Sequence, residues 1–154
     1  MTGVQTCALP IYAFARAGVD TNRHPLPYVK AALDTCKGKF KTFAELPGYA
    51  GFYFTDIVTY DPEAVTKDFV PENKPRLEKL RDAFTALPVF DAIAIEAALK
   101  ETAKALGVKM GVLVHPTRLA LTGKTSGPSL YHLIEVLGRE TVLGRIETAM
   151  AAIN

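Results

Sequence analysis

The sequence has few of the features that define several classes of protein. Its two cysteines, Cys7 and Cys36, stand 29 positions apart and form no CxxC pair. This spacing indicates neither a metal site nor a disulfide framework, and it fits a reducing compartment such as the cytoplasm. The longest apolar runs are far shorter than the ~18–20 residues that cross a bilayer. Metal-binding, disulfide-stabilised and membrane-spanning proteins are therefore disfavoured.

What the chain does have is the composition of an ordinary globular protein. Hydrophobic residues make up 49% and charged residues 22% of its 154 residues, and the net charge is +2. A chain of this length forms one domain or two small ones and buries enough surface for a core. Residues 1–11 lack the basic start of a signal peptide and show no helical or strand period. We therefore treat residues 1–11 as a non-native leader.

Apolar residues recur at helical spacing through most of the remaining chain. Asp91 and Gly107 bound a helix over 92–106 as its N-terminal cap and C-terminal stop. Residues 109–121 contain Pro116 and fit a helix interrupted there, although Val112–Val114 could also form a short strand. Pro128 is expected at the first position of the next helix. The pattern predicts an all-α fold of two small packed helical subdomains, 12–87 and 88–154, divided at Leu87–Pro88–Val89.

Positive charge is concentrated in the last third of the chain. From Thr102 to Ile134, 33 consecutive residues contain no Asp or Glu, whereas about three acids would be expected from the composition. Buried apolar helices would also lack acids, but a positive surface suits a polyanion such as RNA. The basic residues of this stretch are Lys104, Lys109, His115, Arg118, Lys124 and His132.

The loop 123–128 favours the interpretation as an RNA-binding surface. It carries the cation of Lys124 and the hydroxyls of Thr125 and Ser126, and it leads into a helix. The free amides at a helix N-terminus can receive a phosphate or the edge of a base. A P-loop is excluded, because Arg118 stands where that motif needs its first glycine.

No catalytic motif is present in the sequence. It contains no HExxH and no Gly-x-Ser-x-Gly, so no catalytic residue is assigned. A small enzyme that pairs His115 or His132 with a carboxylate is a minor alternative.

Several separated motifs occur in an order that resembles one known family. The downstream run ALGVKMGVLVHPTRLALTG (105–123) is followed by GPSL (127–130) and LIEVLG (133–138). Upstream lie KTFAEL (41–46), FYF (52–54) and DPEA (61–64). Together, over residues 12–153, they resemble the C-terminal anticodon-binding domain of bacterial glutamyl-tRNA synthetases.

This resemblance implies an all-helical domain that binds the anticodon stem and loop of the tRNA for glutamate. Arg118 matches the family arginine that touches anticodon bases, and Pro128 and Leu130 match the pair that lines the base pocket. Gly127 replaces a threonine found in some members, and Thr125 or Ser126 could supply its hydroxyl. Arg118 could instead be a surface charge, and Leu130 a core leucine.

Three lysines complete the expected interface. Lys124 and Thr125 belong to the anticodon contacts, and Lys124 meets phosphate. Lys104 and Lys109 are further candidate phosphate contacts. Contacts of this kind add affinity without reading the sequence.

The family's catalytic domain is expected to be missing. Its His-Ile-Gly-His and Lys-Met-Ser-Lys-Ser motifs are absent, since Gly111 follows Lys109–Met110. The resemblance implies a fragment that binds tRNA without charging it and has no cofactor of its own. The resemblance also implies a monomeric cytoplasmic parent ligase that uses ATP and Mg²⁺. The tRNA for glutamine is expected as a second potential partner, and DNA and membranes are not expected as partners. The alternative is a helical protein-interaction module without RNA binding.

Overall fold

The computed structural model describes residues 10–39 and 41–153, and within them the secondary structure is helical and contains no strand. The all-α prediction is confirmed. Residues 1–9 of the predicted leader, with Cys7, lie outside the described residues, while residues 10 and 11 begin the first helix. The helices are α1 (described residues 10–16), α2 (Leu26–Asp34), α3 (Leu46–Ala50), α4 (Pro62–Asp68), α5 (Asn73–Ala86), α6 (Ala92–Leu106), α7 (Met110–Thr122), α8 (Leu130–Leu137) and α9 (Arg139–Ala152), with 3-10 turns at Phe43–Glu45 and Gly51–Phe54.

The chain divides into two compact units, Met1–Ile57 and Val58–Asn154. The sequence analysis places the division later, at Leu87–Pro88–Val89. The structure puts it at Ile57 because α5, which precedes Pro88, packs against α6 and α9, which follow it. Pro88 therefore ends a helix without ending the unit, and both sides of it share one core.

The first unit is built around aromatic side chains. Phe14 and Tyr53 are buried, and the ring of Phe14 meets the edge of Phe54. The Tyr53 hydroxyl lies 2.7 Å from the hydroxyl of Thr35. Burial raises the pKa of both Tyr53 and Cys36, and Cys36 is a fully buried residue of this core.

The second unit packs five helices, α5 to α9, around an aliphatic core, with α4 against α7. The apolar stripes of these helices face inward, as helical spacing requires. The fully buried side chains of this core include Leu77, Leu80, Phe84, Ile95, Leu99, Leu113, Leu119, Leu121, Leu133, Val142 and Ile146. None of the helices in the described residues is long and apolar enough to cross a membrane.

Local signals set the ends of α6 as predicted. The Asp91 carboxylate accepts the N–H of Ala94 at 2.8 Å, and Gly107 takes a left-handed conformation with φ +69° at the other end. The Asp61 carboxylate caps α4 in the same way by accepting the N–H of Glu63 at 3.0 Å. These acceptors satisfy amides that a helix leaves unpaired at its start.

Two expectations about prolines are wrong. α7 runs through Pro116 without interruption, and no strand forms at Val112–Val114. Pro116 is buried, and the packing of α7 against its neighbouring helices keeps it continuous although proline removes one of its hydrogen bonds. Pro128 is not the first residue of α8, because Ser129 is its N-cap and the helix begins at Leu130.

Candidate nucleic-acid interface

The candidate interface begins where α7 ends. Gly123 takes a left-handed conformation with φ +79°, and its N–H donates to the Leu119 carbonyl at 2.8 Å. A Cβ built on Gly123 would overlap the carbonyl oxygen of Thr59, while the Asp61 N–H donates to the Gly123 carbonyl at 2.8 Å. The end of α7 is therefore fixed against the segment that leads into α4.

A buried threonine holds the start of the loop between α7 and α8, residues 123–129, which we call the α7–α8 loop. The Thr122 hydroxyl lies 2.9 Å from the Arg118 carbonyl and accepts the N–H of Lys124 at 3.1 Å. Thr122 is buried, whereas Lys124 is exposed. The backbone of Lys124 is thus fixed, and its side chain extends toward solvent.

The guanidinium of Arg118 closes the other end of the same loop. Arg118 is half-buried on the last turns of α7, and its Nη1 donates to the Pro128 carbonyl at 2.7 Å. A Cβ on Gly127 would lie 3.5 Å from this Nη1, so the missing side chain leaves room beside the guanidinium. Arg118 therefore links α7 to the residue that precedes the cap of α8.

A second arginine supports the end of α7 from the interior. Arg145 on α9 is 7% exposed, and its Nη1 donates to the Leu121 carbonyl at 2.6 Å. A cation is stabilised at this position because a helix C-terminus carries partial negative charge. Burial raises the pKa of nearby Tyr60, and the charge of Arg145 opposes that rise.

The sequence analysis missed Arg145, although a signal for it exists. It occupies a buried position of α9, three residues after Val142 and directly before Ile146, both of which are fully buried. A charged side chain among the apolar positions of a helix needs a buried partner. The place of Arg145 in the apolar pattern of α9 is therefore the signal from which its role could have been predicted.

The structure brings some predicted site residues together and separates others. Arg118, Lys124, Thr125 and Pro128 meet at the α7–α8 loop, where Thr125 is exposed and Pro128 is buried. Leu130 is 4% exposed and packs in the core directly after the loop. In this conformation Pro128 and Leu130 are buried, and they support the loop from the protein interior.

Lys104 and Lys109 lie at the opposite end of α7 from the loop. Lys109 is the N-cap of α7, and Lys104 lies on the last turn of α6. Because a helix rises 1.5 Å per residue, the 13 residues of α7 span about 20 Å. These two lysines therefore do not share the site formed by Arg118 and Lys124.

The two histidines of this region are exposed and form no catalytic cluster in the described residues. The Nδ1 of His132 lies 3.0 Å from the hydroxyl of Ser129, and His115 lies on the exposed side of α7. Within residues 10–39 and 41–153, no group of three His, Cys, Asp or Glu side chains is placed to hold a metal ion.

The α7–α8 loop combines the properties of an RNA-binding surface. A guanidinium that is planar and partly exposed can stack on an unpaired base and donate to its edge. The fixed backbone at Gly123 and Lys124 limits the ordering cost of binding. An all-helical unit with an exposed basic loop and no acid from Thr102 to Ile134 has the character of a helical nucleic-acid-binding domain.

Comparison with known proteins identifies the family. A family model described as the anticodon binding domain matches residues 9–150. The chain belongs to this anticodon-binding domain family.

The relatives that it matches are glutamate–tRNA ligases. It is 39% identical over 131 residues to the ligase of Moorella thermoacetica, covering 81% of this chain and 27% of the relative. It is 36% identical over 127 residues to the ligase of Chlorobium phaeovibrioides, covering 82% of this chain and 24% of the relative. The chain thus spans about a quarter of the length of these relatives.

The fold is also that of solved ligase structures. A glutamate tRNA ligase from Elizabethkingia meningosepticum superimposes with a TM-score of 0.85 at 23% identity, covering 100% of this chain and 30% of that one. A glutamate-tRNA synthetase from Elizabethkingia anophelis gives 0.78 at 22% identity, covering 98% of this chain and 29% of that one. At this level of identity the likeness concerns the fold alone.

Proposed function

We propose that the chain binds the anticodon stem-loop of the tRNA for glutamate through its α7–α8 loop. The observation that carries this proposal is the position of Arg118. Its guanidinium is half-exposed at the edge of the loop and bonded to the Pro128 carbonyl at 2.7 Å. Membership of the anticodon-binding family supports an anticodon as the ligand, and the position of Arg118 supports the α7–α8 loop as the surface that binds it.

Arg118 reads bases in this proposal, and its neighbours have other roles. The Arg118 guanidinium carries five N–H bonds in a planar fork, and this geometry suits contact with the face and the edge of a base. Lys124 meets a phosphate. The hydroxyl of Thr125, the next residue of the loop, contacts a ribose or a base. Pro128 and Leu130 are buried, so they shape the floor of the loop.

The longer protein to which this chain corresponds is proposed to be a glutamate–tRNA ligase. It would act in the cytoplasm as a monomer and use ATP and Mg²⁺, which would bind in its catalytic domain. The chain itself would need no cofactor to bind RNA. The tRNA for glutamine is the second RNA to compare, because discrimination between the two rests on the third anticodon base.

The test is replacement of Arg118 by alanine. We expect Arg118→Ala to weaken binding of an RNA stem-loop with the glutamate anticodon by about 1–3 kcal/mol, because both a stacking surface and base-edge donors are lost. Fluorescence anisotropy with a labelled stem-loop measures the affinity, and circular dichroism checks that the helices remain. A stem-loop with the glutamine anticodon is titrated in parallel.

Two further variants separate charge from base recognition. Arg118→Lys retains the charge without the planar fork, so it should keep the salt dependence of binding and lose anticodon preference. Lys124→Ala should reduce the salt slope by about 1 and leave anticodon preference intact. Unchanged affinity and preference in Arg118→Ala would refute the assigned role.

The alternative, a protein-interaction module without RNA binding, is not favoured. The chain belongs to an anticodon-binding family, and the exposed large hydrophobic side chains of the second unit are Val89, Ile93 and Val112. Exposed apolar residues in this number are normal on soluble proteins.

A further inference from the structure

One charged side chain of the second unit is buried and has no part in the proposed contacts with RNA. Arg145 of α9 is 7% exposed, so it is withdrawn from any base or phosphate at the surface. A buried guanidinium loses the hydration that it has in water, and an apolar residue of similar size often stabilises a core as well. The role of Arg145 is therefore to be sought in the group that it holds.

Arg145 holds the peptide group that joins Leu121 to Thr122. Its Nη1 donates to the Leu121 carbonyl at 2.6 Å, and this carbonyl shares one planar peptide group with the N–H of Thr122. The bond therefore fixes the backbone from which the Thr122 side chain projects. A positive charge also suits this place, because the C-terminal end of a helix carries partial negative charge.

Thr122 connects this peptide group to the two residues that carry the proposed RNA contacts. Its hydroxyl lies 2.9 Å from the Arg118 carbonyl and accepts the N–H of Lys124 at 3.1 Å. Arg118 stands three residues before Leu121, so the two lie within one turn of α7. A shift of the peptide group between Leu121 and Thr122 would therefore move the backbone of Arg118 and the start of the α7–α8 loop together.

The segment before α4 holds the same helix end at the next residue. The Gly123 carbonyl accepts the N–H of Asp61 at 2.8 Å, and a Cβ on Gly123 would overlap the carbonyl oxygen of Thr59. Tyr60 lies between these two residues of the segment, and the charge of Arg145 opposes the rise that burial causes in its pKa. Since the bond from Arg145 is made by a side chain, a substitution on α9 can remove it without changing the loop.

We propose that Arg145 is a positioning residue for anticodon recognition, which fixes the end of α7 so that the Arg118 guanidinium is oriented before RNA binds. The proposal rests on the proposed function, in which Arg118 reads the anticodon. A side chain that is ordered beforehand loses less conformational entropy on binding. A guanidinium at a base edge depends on direction as well as distance, whereas attraction to phosphate does not. Arg145 therefore controls anticodon preference and leaves the electrostatic part of the affinity unchanged.

The experiment measures anticodon preference in the full chain, as the ratio of affinities for stem-loops with the glutamate anticodon and with three substituted bases. Arg145→Met replaces the guanidinium with an apolar side chain. We expect the ratio to fall by about tenfold, within the range for one base contact. The slope of log K against log salt should stay unchanged, because Arg145 meets no phosphate. Arg145→Lys keeps a donor for the Leu121 carbonyl and should retain most of the ratio.

A double-mutant cycle and a control variant separate positioning from general stability. If Arg145 acts through Arg118, Arg145→Met should cause no further loss of the ratio once Arg118→Ala is present. The matched control is Val142→Ala, which removes buried methyl groups from the same helix and retains the bond to Leu121. Val142→Ala should reduce the free energy of unfolding and keep the wild-type ratio.

Amide hydrogen exchange observes the end of α7 directly. The Gly123 N–H donates to the Leu119 carbonyl at 2.8 Å. The Lys124 N–H donates to the Thr122 hydroxyl at 3.1 Å. Both amides should therefore exchange slowly in the free wild-type chain. In Arg145→Met they should exchange faster, by a larger factor than the amides in the middle of α6.

Several results would overturn the proposal. One is a folded Arg145→Met chain with the wild-type ratio, and another is an equal loss of the ratio in Val142→Ala. A further loss in the double variant would mean that Arg145 acts independently of Arg118. Unprotected Gly123 and Lys124 amides in the wild-type chain would contradict a fixed helix end, even if Arg145→Met fails to fold. A wild-type chain without anticodon preference contradicts the proposed function instead, and amide exchange then still tests whether Arg145 fixes the end of α7.

Discussion

At the scale of single residues, two glycines end helices with the same backbone conformation in different surroundings. Gly107 ends α6 with φ +69°, and Gly123 ends α7 with φ +79°. A Cβ on Gly107 would meet no described atom within 4 Å, whereas one on Gly123 would overlap the Thr59 carbonyl. Gly107 is therefore needed for its conformation alone, and Gly123 also for a close approach of two backbones.

This difference predicts unequal costs for the same substitution. Gly107→Ala should reduce the free energy of unfolding by about 1–2 kcal/mol, the cost of a left-handed alanine. Gly123→Ala should cost a further ~1–3 kcal/mol, because the segment at Thr59 must shift. Urea denaturation followed by circular dichroism measures both variants. Equal costs would contradict the prediction, because the added methyl group would then fit beside Thr59 without displacing its segment.

Residue-level chemistry was partly accessible from the sequence. The family resemblance and the acid-free basic stretch predict Arg118 and Lys124 as RNA contacts, and these roles stay predictions. The sequence leaves Leu130 between the base pocket and the core, and the structure buries it. The bond from Arg118 to the Pro128 carbonyl was not predictable, since it joins side chain and backbone across a loop whose path depends on packing.

At the scale of helices, the prediction succeeded where signals are local. The bounds of α6 follow from Asp91 and Gly107, which act within one turn of each end. Pro116 is also a local signal, and it misleads: the surrounding packing keeps α7 continuous. Register and continuity of a buried helix depend on neighbours that the sequence pattern does not identify.

The start of α6 offers a test of this local control. Asp91 accepts the N–H of Ala94, and Glu135 of α8 accepts the N–H of Ala92 at 2.9 Å. Asp91→Ala should reduce the free energy of unfolding by about 1 kcal/mol, because one amide loses its acceptor. Asp91→Asn should cost little, because asparagine caps helices about as well as aspartate. Thermal or urea unfolding of both variants measures the effect; an Asn variant as unstable as the Ala variant would contradict capping as the cause.

At the scale of the whole molecule, the all-α class is predictable from periodicity, while the division into units is not. Pro88 is a strong helix stop in the sequence, yet α5 packs on α6 and α9 across it. The division at Ile57 and Val58 carries no comparable composition signal. Boundaries between units depend on which helices share a core, and this is a property of long-range contacts.

Charge is also organised at this scale. The net charge is only +2, yet the stretch that forms α7 and the α7–α8 loop contains no acid. A nearly neutral protein can therefore present one positive surface to a polyanion. Since a phosphate backbone attracts any positive surface, affinity for RNA alone does not establish anticodon recognition.

The most direct measurement is the ratio of two affinities of the unmodified chain. One stem-loop carries the glutamate anticodon, and the other differs only in its three anticodon bases. If the α7–α8 loop reads those bases, the first should bind at least about tenfold more tightly, a difference of ~1.4 kcal/mol, and this ratio should persist as salt is raised. Equal affinities at every salt concentration would contradict the account, because binding would then depend on phosphate alone.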